Sequence, residues 1–203
     1  MGSGKVGGTL TRRLRDLGYD VSVSNSRGPD SLQPLARETG AEPATVAEAA
    51  ERADVVVIAI PTRAVPSLPA QAFDGKIVVD ANNYYPERDG DIEPIEDRAI
   101  SSSRWVADQF PGARVVKAFN SIGAPHLAER GKKAGDAGRI ALPVAGDDAD
   151  AKRVVENLVD ELGFDPVDAG TLDESWRQQP GTPVYLADLD EPKLRAGLAR
   201  AAG

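Results

Sequence analysis

Apolar residues recur along this chain in two rhythms, and the alternation between them predicts its elements. Val6, Leu10, Leu14 and Leu17 are spaced four, four and three apart. That spacing lays one apolar stripe along a helix, with Arg12, Arg13 and Arg15 largely off it. Gly18 follows the last periodic residue and marks the stop. Residues 20–24 (DVSVS) alternate as a half-buried strand does. Residues 32–39 and 45–52 predict two short helices, and 55–60 (VVVIAI) is a continuous apolar run. A parallel strand covered on both faces needs such a run. Residues 77–80, 115–119, 140–145 and 164–167 predict further strands, 101–110 and 149–162 helices, and 87–98 a polar loop. Strand and helix thus take turns, which predicts an α/β fold with a doubly wound, mostly parallel sheet.

The first helix opens on Met1-Gly2-Ser3-Gly4-Lys5-Val6-Gly7-Gly8, in which Gly2, Gly4 and Gly7 form G-x-G-x-x-G. In a dinucleotide-binding βαβ unit the first glycine allows the tight turn and the second lets the backbone approach a pyrophosphate. The third lets the helix pack close to the sheet, with its N–H groups aimed at the phosphates. The motif alone also fits a plain glycine-rich cap; a helix and then a strand in the right order favour the nucleotide site. The fingerprint normally follows a strand, and only Met1 stands there. That strand is central in a doubly wound sheet, so without it two strand edges lose their partners. The ~4 buried aliphatics it would supply are worth ~1.5–3 kcal/mol each. Their loss is comparable with the ~5–15 kcal/mol stability of a whole domain. The expectation is a sheet lacking its first strand, with about half a dozen apolar residues belonging ahead of Met1.

The end of the second strand separates NAD from NADP. A carboxylate there would accept from the ribose 2′-hydroxyl and repel a 2′-phosphate. This chain instead reads Ser24-Asn25-Ser26-Arg27-Gly28-Pro29. Arg27 can fork onto a phosphate and Ser26 can donate to it, so NADP is expected, although Asp30 could compete for the guanidinium. Three further loops follow strands on the same edge: Ile60-Pro61-Thr62, Ala81-Asn82-Asn83-Tyr84 and Asn120-Ser121-Ile122-Gly123-Ala124. Ligands of open α/β sheets bind outside the carboxyl ends of strands, and amides and hydroxyls suit a carboxamide or a ribose. Ordinary turn chemistry accounts for the same residue types.

Composition narrows the chemistry. Lys+Arg 24 against Asp+Glu 32 gives a net charge of −8, which argues against a nucleic-acid partner or an anionic membrane surface. The chain has no Cys and one His, so a thiol nucleophile, a disulfide framework and a multi-His or Cys metal site are excluded. No apolar run approaches a membrane span, and a cytoplasmic protein is expected. His126 follows a strand-end loop and could move a proton, or serve as a surface residue. Asp147, Asp148 and Asp150 lack calcium-loop spacing and read as a helix start. Tyr84 and Tyr85 could stack on a flat ring or anchor their loop. Hydride transfer between two redox rings needs positioning more than a nucleophile, so no catalytic residue and no metal ligand is assigned.

GSGKVGGTL, SNSRGP, VVVIAIP, DANNYYPERDGDI, VVKAFNSIGA, PVAGDDADAK and PVDAGTLDES together resemble the NADPH-dependent coenzyme F420 reductase-like family. The resemblance runs from Gly2 to about Ser175. It implies a Rossmann-type domain over residues 1–175 and a C-terminal extension with a short helix over 176–203. It also implies an oxidoreductase using NADP, a homodimer, and hydride exchange with coenzyme F420 as co-substrate. By position, Ser3, Gly4, Lys5 and Val6 match the family's pyrophosphate loop, with Gly2 and Gly7 flanking them. Ser26 and Arg27 match its 2′-phosphate pair, and Thr62 and Ile122-Gly123-Ala124 match positions beside the nicotinamide and deazaflavin. Ile60, Pro61 and Asn82 join them as cofactor-binding candidates from the strand-end pattern. Ser31 stands where the reductases carry a basic residue. The tail from Trp176 differs from the reductases' apolar helical ending, which helps form the deazaflavin pocket. Three functions stay open: a reductase for F420 or a similar flat acceptor, a reductase of another small carbonyl or imine, and a non-enzymatic NADP-binding protein.

Overall fold

A computed structural model describes residues 1–201. The chain order is α1 (Lys5–Asp16), β1 (Ser22–Val23), α2 (Gln33–Thr39), β2 (Glu42–Pro43), α3 (Val46–Arg52), β3 (Val55–Ile58) and β4 (Ile77–Asp80). There follow α4 (Pro86–Asp89), α5 (Glu93–Glu96), α6 (Ser102–Asp108), β5 (Arg114–Lys117), α7 (Ala124–Glu129), β6 (Ala141–Gly146), α8 (Ala149–Glu161), β7 (Asp165–Asp168) and α9 (Glu191–Arg200). Local chemistry sets several boundaries. Thr45 and Glu48 make a reciprocal capping box at the start of α3. Asp148 accepts from the Ala151 N–H at the start of α8, which gives the aspartate cluster a capping role.

Strands β3, β4 and β5 are parallel, β6 runs antiparallel to β5, and β7 is parallel to β6. Strands β1 and β2 form a separate parallel pair. One core lies where α1, α7 and α8 meet the sheet, built on Leu10, Val79, Val116, Leu127, Val155 and Phe164. The other lies under α3 and α6, around Val56, Ile58, Val78, Val106 and the edge-to-face pair Phe73–Phe110. Helices therefore cover both faces of a mostly parallel sheet, the doubly wound architecture expected of a Rossmann-type domain. Helix α9 packs Leu194 and Leu198 against β6 and β7 through Ala141, Ala145 and Val167. Among the described residues, no helix is long and apolar enough to cross a membrane.

The sheet is split at its centre. Met1 and Gly2 bridge β1 and β3 at their carboxyl ends: the Met1 nitrogen donates to Val57 O at 2.5 Å, Ala59 N to Met1 O at 2.9 Å, and Gly2 N to Ser24 O at 2.8 Å. Below this bridge, among the described residues, no strand lies between β1 and β3. Val21, Val23, Val55, Val57, Leu10 and Leu158 are among the residues that line a cleft of ≈ 870 Å³ between them.

Several expected boundaries shift. Strand β1 covers two residues of the five anticipated, Ser22 and Val23, paired with Glu42 and Pro43 of β2. Strand β3 ends at Ile58, so Ile60 already belongs to the loop. Strand β5 ends at Lys117, and Phe119 turns the chain with φ 62 while fully buried. The expected polar loop 87–98 carries two single helical turns, α4 and α5. Each begins with proline in its first turn, which pre-sets the helical φ. Strand β2 and helix α7 lie where no element was expected; both are too short to show a periodic pattern.

Candidate functional site

The glycine loop is shaped by backbone contacts. A Cβ on Gly2, whose φ is +98, would lie 2.2 Å from Ala59 O, and one on Gly7 would lie 2.0 Å from Gly2 O. The third glycine of the motif thus lets α1 sit directly on the backbone of Gly2. A Cβ on Gly4 would meet nothing within 4 Å. Gly4 is the N-cap of α1, with no side-chain cap and no acidic residue in the first turn. The first N–H groups of α1 therefore have no side-chain cap, and the positive end of the helix dipole lies behind them. Ser3 precedes Gly4 and its Oγ accepts from Asn25 Nδ2 at 3.0 Å. Lys5 is exposed and Val6 partly buried, its side chain packed on the core.

Asn25 ties this loop to the next. Its Oδ1 accepts from Arg27 N at 2.9 Å, and its Nδ2 also donates to Ser31 Oγ at 3.0 Å. Ser31, where the resemblance anticipates a basic residue, therefore belongs to the turn's own bonding. Ser26 and Arg27 are both exposed on that turn, at the carboxyl end of β1. The turn holds an Arg and a Ser at the position where a carboxylate would select NAD.

The three other loops converge. The Ile60 N–H donates to Asn82 Oδ1 at 2.8 Å, and Thr62 Oγ1 donates to Asn83 O at 3.2 Å. Asn83 Nδ2 donates to Asn120 O at 2.9 Å, and Asn120 Nδ2 donates back to Asn83 Oδ1 at 3.0 Å. Pro61 lies between the first pair of contacts. Gly123 is the N-cap of α7, Ala124 its first residue, and a Cβ on Gly123 would meet only Pro125 Cδ at 3.8 Å. Loops that follow β3, β4 and β5 are thus bonded side by side on one edge.

The loops rest on groups that the sequence pattern did not single out. Lys117 and Asp80, both with wholly buried side chains, form an ion pair at 3.1 Å. Burial pushes the lysine below its ordinary pKa, against the opposing pull of Asp80. Lys117 ends β5, after Arg114, Val115 and Val116, and its partner lies on another strand, so no local pattern signalled the pair. Gln178 is also fully buried: its Nε2 donates to Asn120 Oδ1 at 2.9 Å, and its backbone carbonyl accepts from Asn120 Nδ2 at 2.8 Å. The tail thereby closes onto this edge, and Leu186 N donates to Ser121 O at 2.9 Å. Tyr85 and Tyr185 share a hydrogen bond between their hydroxyls. Burial, then this bond, raises the Tyr185 pKa. Tyr84 donates to Gly90 O at 2.8 Å. Both tyrosines of the 84–85 pair act as loop anchors here. Asp89 accepts from Arg88, Tyr85 N and Arg63 N; burial opposes its charge, but these donors prevail and hold its carboxyl below the usual range. His126 Nδ1 lies 2.5 Å from Asp188 Oδ2, beside the tail.

A model of the family described as NADP oxidoreductase, coenzyme F420-dependent, matches residues 1–84. The crystal structure of a protein assigned as an F420-dependent NADP reductase, from Arthrobacter sp. FB24, is 30% identical, covers 87% of this chain and 84% of its own, and superposes with a TM-score of 0.74. The chain belongs to the coenzyme F420-dependent NADP oxidoreductase family. A hypothetical protein of Sinorhizobium meliloti shares 34% identity over 92% of this chain and 91% of its own, with a TM-score of 0.78. Metalloreductase STEAP3 of Rattus norvegicus is 34% identical over 92% of this chain, which spans 36% of that protein. Curated relatives that the chain matches are covered over 36–41% of their length. Membership brings NADP as the family's cofactor. The chain fits it, since the uncapped α1 N-terminus, the unobstructed Gly4 and the Ser26–Arg27 turn lie in the order an NADP site needs.

Proposed function

We propose that this protein is an NADPH-dependent oxidoreductase that exchanges hydride between NADP and a flat redox acceptor, coenzyme F420. The observation that carries the reading is the uncapped amino terminus of α1 opening beside Gly4, with nothing within 4 Å of where a side chain would begin. Ser3, Gly4, Lys5 and Val6 would bind the pyrophosphate through backbone N–H groups, on a loop that Gly2 and Gly7 shape by close packing. Ser26 and Arg27 would hold the 2′-phosphate with charge-assisted hydrogen bonds. Ile60, Pro61, Thr62, Asn82, Gly123 and Ala124 would flank the nicotinamide half. The dinucleotide supplies the hydride; the chain's part is to hold donor and acceptor rings in contact and keep water out. A reductase of another small carbonyl or imine is the second reading, and the tail closed over Asn120 and Ser121 favours it by restricting the space for a large acceptor.

The test is NADPH oxidation followed spectroscopically with F420 and with a panel of flavins, carbonyls and imines. Turnover with F420 supports the first reading, and turnover with the others alone supports the second. NADPH binding without turnover of any acceptor would leave a binding protein and remove the oxidoreductase. Gly123→Leu fills the space beside the nicotinamide. It should stop turnover while NADPH affinity stays within a few-fold.

A further inference from the structure

Beneath the converging loops lies a chain of four buried groups. Asp80 Oδ2 accepts from Ser103 Oγ at 2.8 Å and from Lys117 Nζ at 3.1 Å. Asp80 Oδ1 accepts from the Asn82 N–H at 3.0 Å. Lys117 Nζ donates a second time, to the Asn82 carbonyl. Asn82 is therefore held at both its backbone N–H and its C=O by one ion pair, which spans the ends of neighbouring strands β4 and β5. The side chain passes this constraint on, because Oδ1 accepts from the Ile60 N–H at 2.8 Å. A backbone N–H can face only the amide oxygen, so Asn82 has one orientation. Its Nδ2 is then a buried donor without a partner among the described residues, as is the Ser24 hydroxyl. A buried donor without an acceptor is costly, and in a native protein an ordered water or a ligand oxygen completes it, or it marks a strained or functional position.

An ion pair this deep is a poor source of stability, because desolvating two charges offsets most of their attraction. Lys117 and Asp80 are each fully buried, and the same strand positions would hold aliphatic residues without that cost. What the pair does that aliphatic residues would not is grip one residue of the cofactor edge by two polar atoms.

We propose that Lys117 is a positioning residue of the cofactor site, acting through Asn82 to set the Ile60-Pro61-Thr62 loop for the nicotinamide half of NADPH. This rests on the NADPH-dependent reading above. The ammonium touches neither cofactor nor acceptor. It holds the Asn82 carbonyl, Asn82 holds Ile60 N, and the loop after β3 is fixed relative to those after β4 and β5.

The test is a cycle of variants of the full chain, read by NADPH affinity and thermal melting. Lys117→Met with Asp80→Asn removes both buried charges and keeps an acceptor for the Asn82 N–H. The melting point should stay within a few degrees of the parent, while NADPH binding weakens about tenfold. Asn82→Ala in the parent should weaken binding to a similar degree and speed exchange of the Ile60 amide. Combined with the double change it should add little, because groups in one network do not act independently. Parent-like NADPH affinity in the double variant, or fully additive losses, would overturn the proposal. If the double variant does not fold, Asn82→Ala decides alone: unchanged NADPH affinity there overturns it. A parent that binds no NADPH removes the functional reading itself, whereas a binding parent with unaffected variants removes only the role of Lys117.

Discussion

The two sheets of this molecule hold their ends of the proposed cofactor in different ways. On the β1–β2 side the strands are two residues long, and the cleft of ≈ 870 Å³ separates them from β3. The glycine loop there is shaped by close packing of main chain on main chain, at Gly2 against Ala59 and Gly7 against Gly2. On the β3–β7 side the strands run four to six residues, and the loops above them are joined by carboxamides over a buried ion pair. A phosphate needs N–H groups pointing outward from an unobstructed backbone, which glycine supplies without side-chain chemistry. Two rings that must exchange a hydride need a fixed platform, and loops cross-linked by hydrogen bonds are held more firmly than a bare loop. The contrast predicts that the first side is vulnerable to added atoms and the second to lost hydrogen bonds.

Gly4→Val breaks that comparison most sharply. Its side chain enters open space, so the melting point should hold while NADPH binding disappears. A variant that still gains thermal stability from NADPH would show that the glycine loop is not the site. Gly7→Val has a different expected fate. Its Cβ would lie 2.0 Å from a backbone oxygen that has no room to retreat, and overpacking of this kind costs about 3 kcal/mol. Urea unfolding measures it, and a parent-like midpoint would mean that α1 is not held by this contact. Arg27→Ala should weaken NADPH roughly ten- to a hundredfold and leave NADH nearly unchanged. Equal losses for both would make Arg27 structural.

The smallest effect belongs to the loop-anchoring carboxylate. The folded pKa of Asp89 lies below its ordinary value, because Arg88 and two backbone N–H groups outweigh the cost of burial. Its stabilising contribution is then present above the unfolded value of about 4 and fades as pH falls toward the folded one. Asp89→Asn should flatten the acid side of the melting profile by about 1 kcal/mol. An unaltered acid limb would mean that the 84–89 turn is held by other contacts.

Residues 6–17 and 149–162 were legible as helices because their apolar stripes recur over three or more turns. The strands at 55–60 and 77–80 were legible from their composition. The convergence of the 60–62, 82–84 and 120–124 loops followed from a parallel sheet, since each loop leaves the same edge. Lys117, Gln178 and Tyr185 were not legible. Each acquires its place from a residue 35 or more positions away along the chain: Lys117 from Asn82, Gln178 from Asn120 and Tyr185 from Tyr85. No local pattern carries such a separation.

The sequence by itself determined the alternation of elements, the glycine loop, the absence of a carboxylate after β1, and the edge on which the loops gather. These follow from short-range rules of periodicity, backbone freedom and charge, which act within a few residues. Only the tertiary structure decided that β6 would run antiparallel to β5, that Met1 and Gly2 would bridge the end of a cleft, and that the tail would close over Asn120 and Ser121. It also decided which amide would face which, and that Lys117 would be buried against Asp80. Such pairings depend on which distant surfaces meet when the layers pack, and on where a buried polar group finds a partner once water has been excluded.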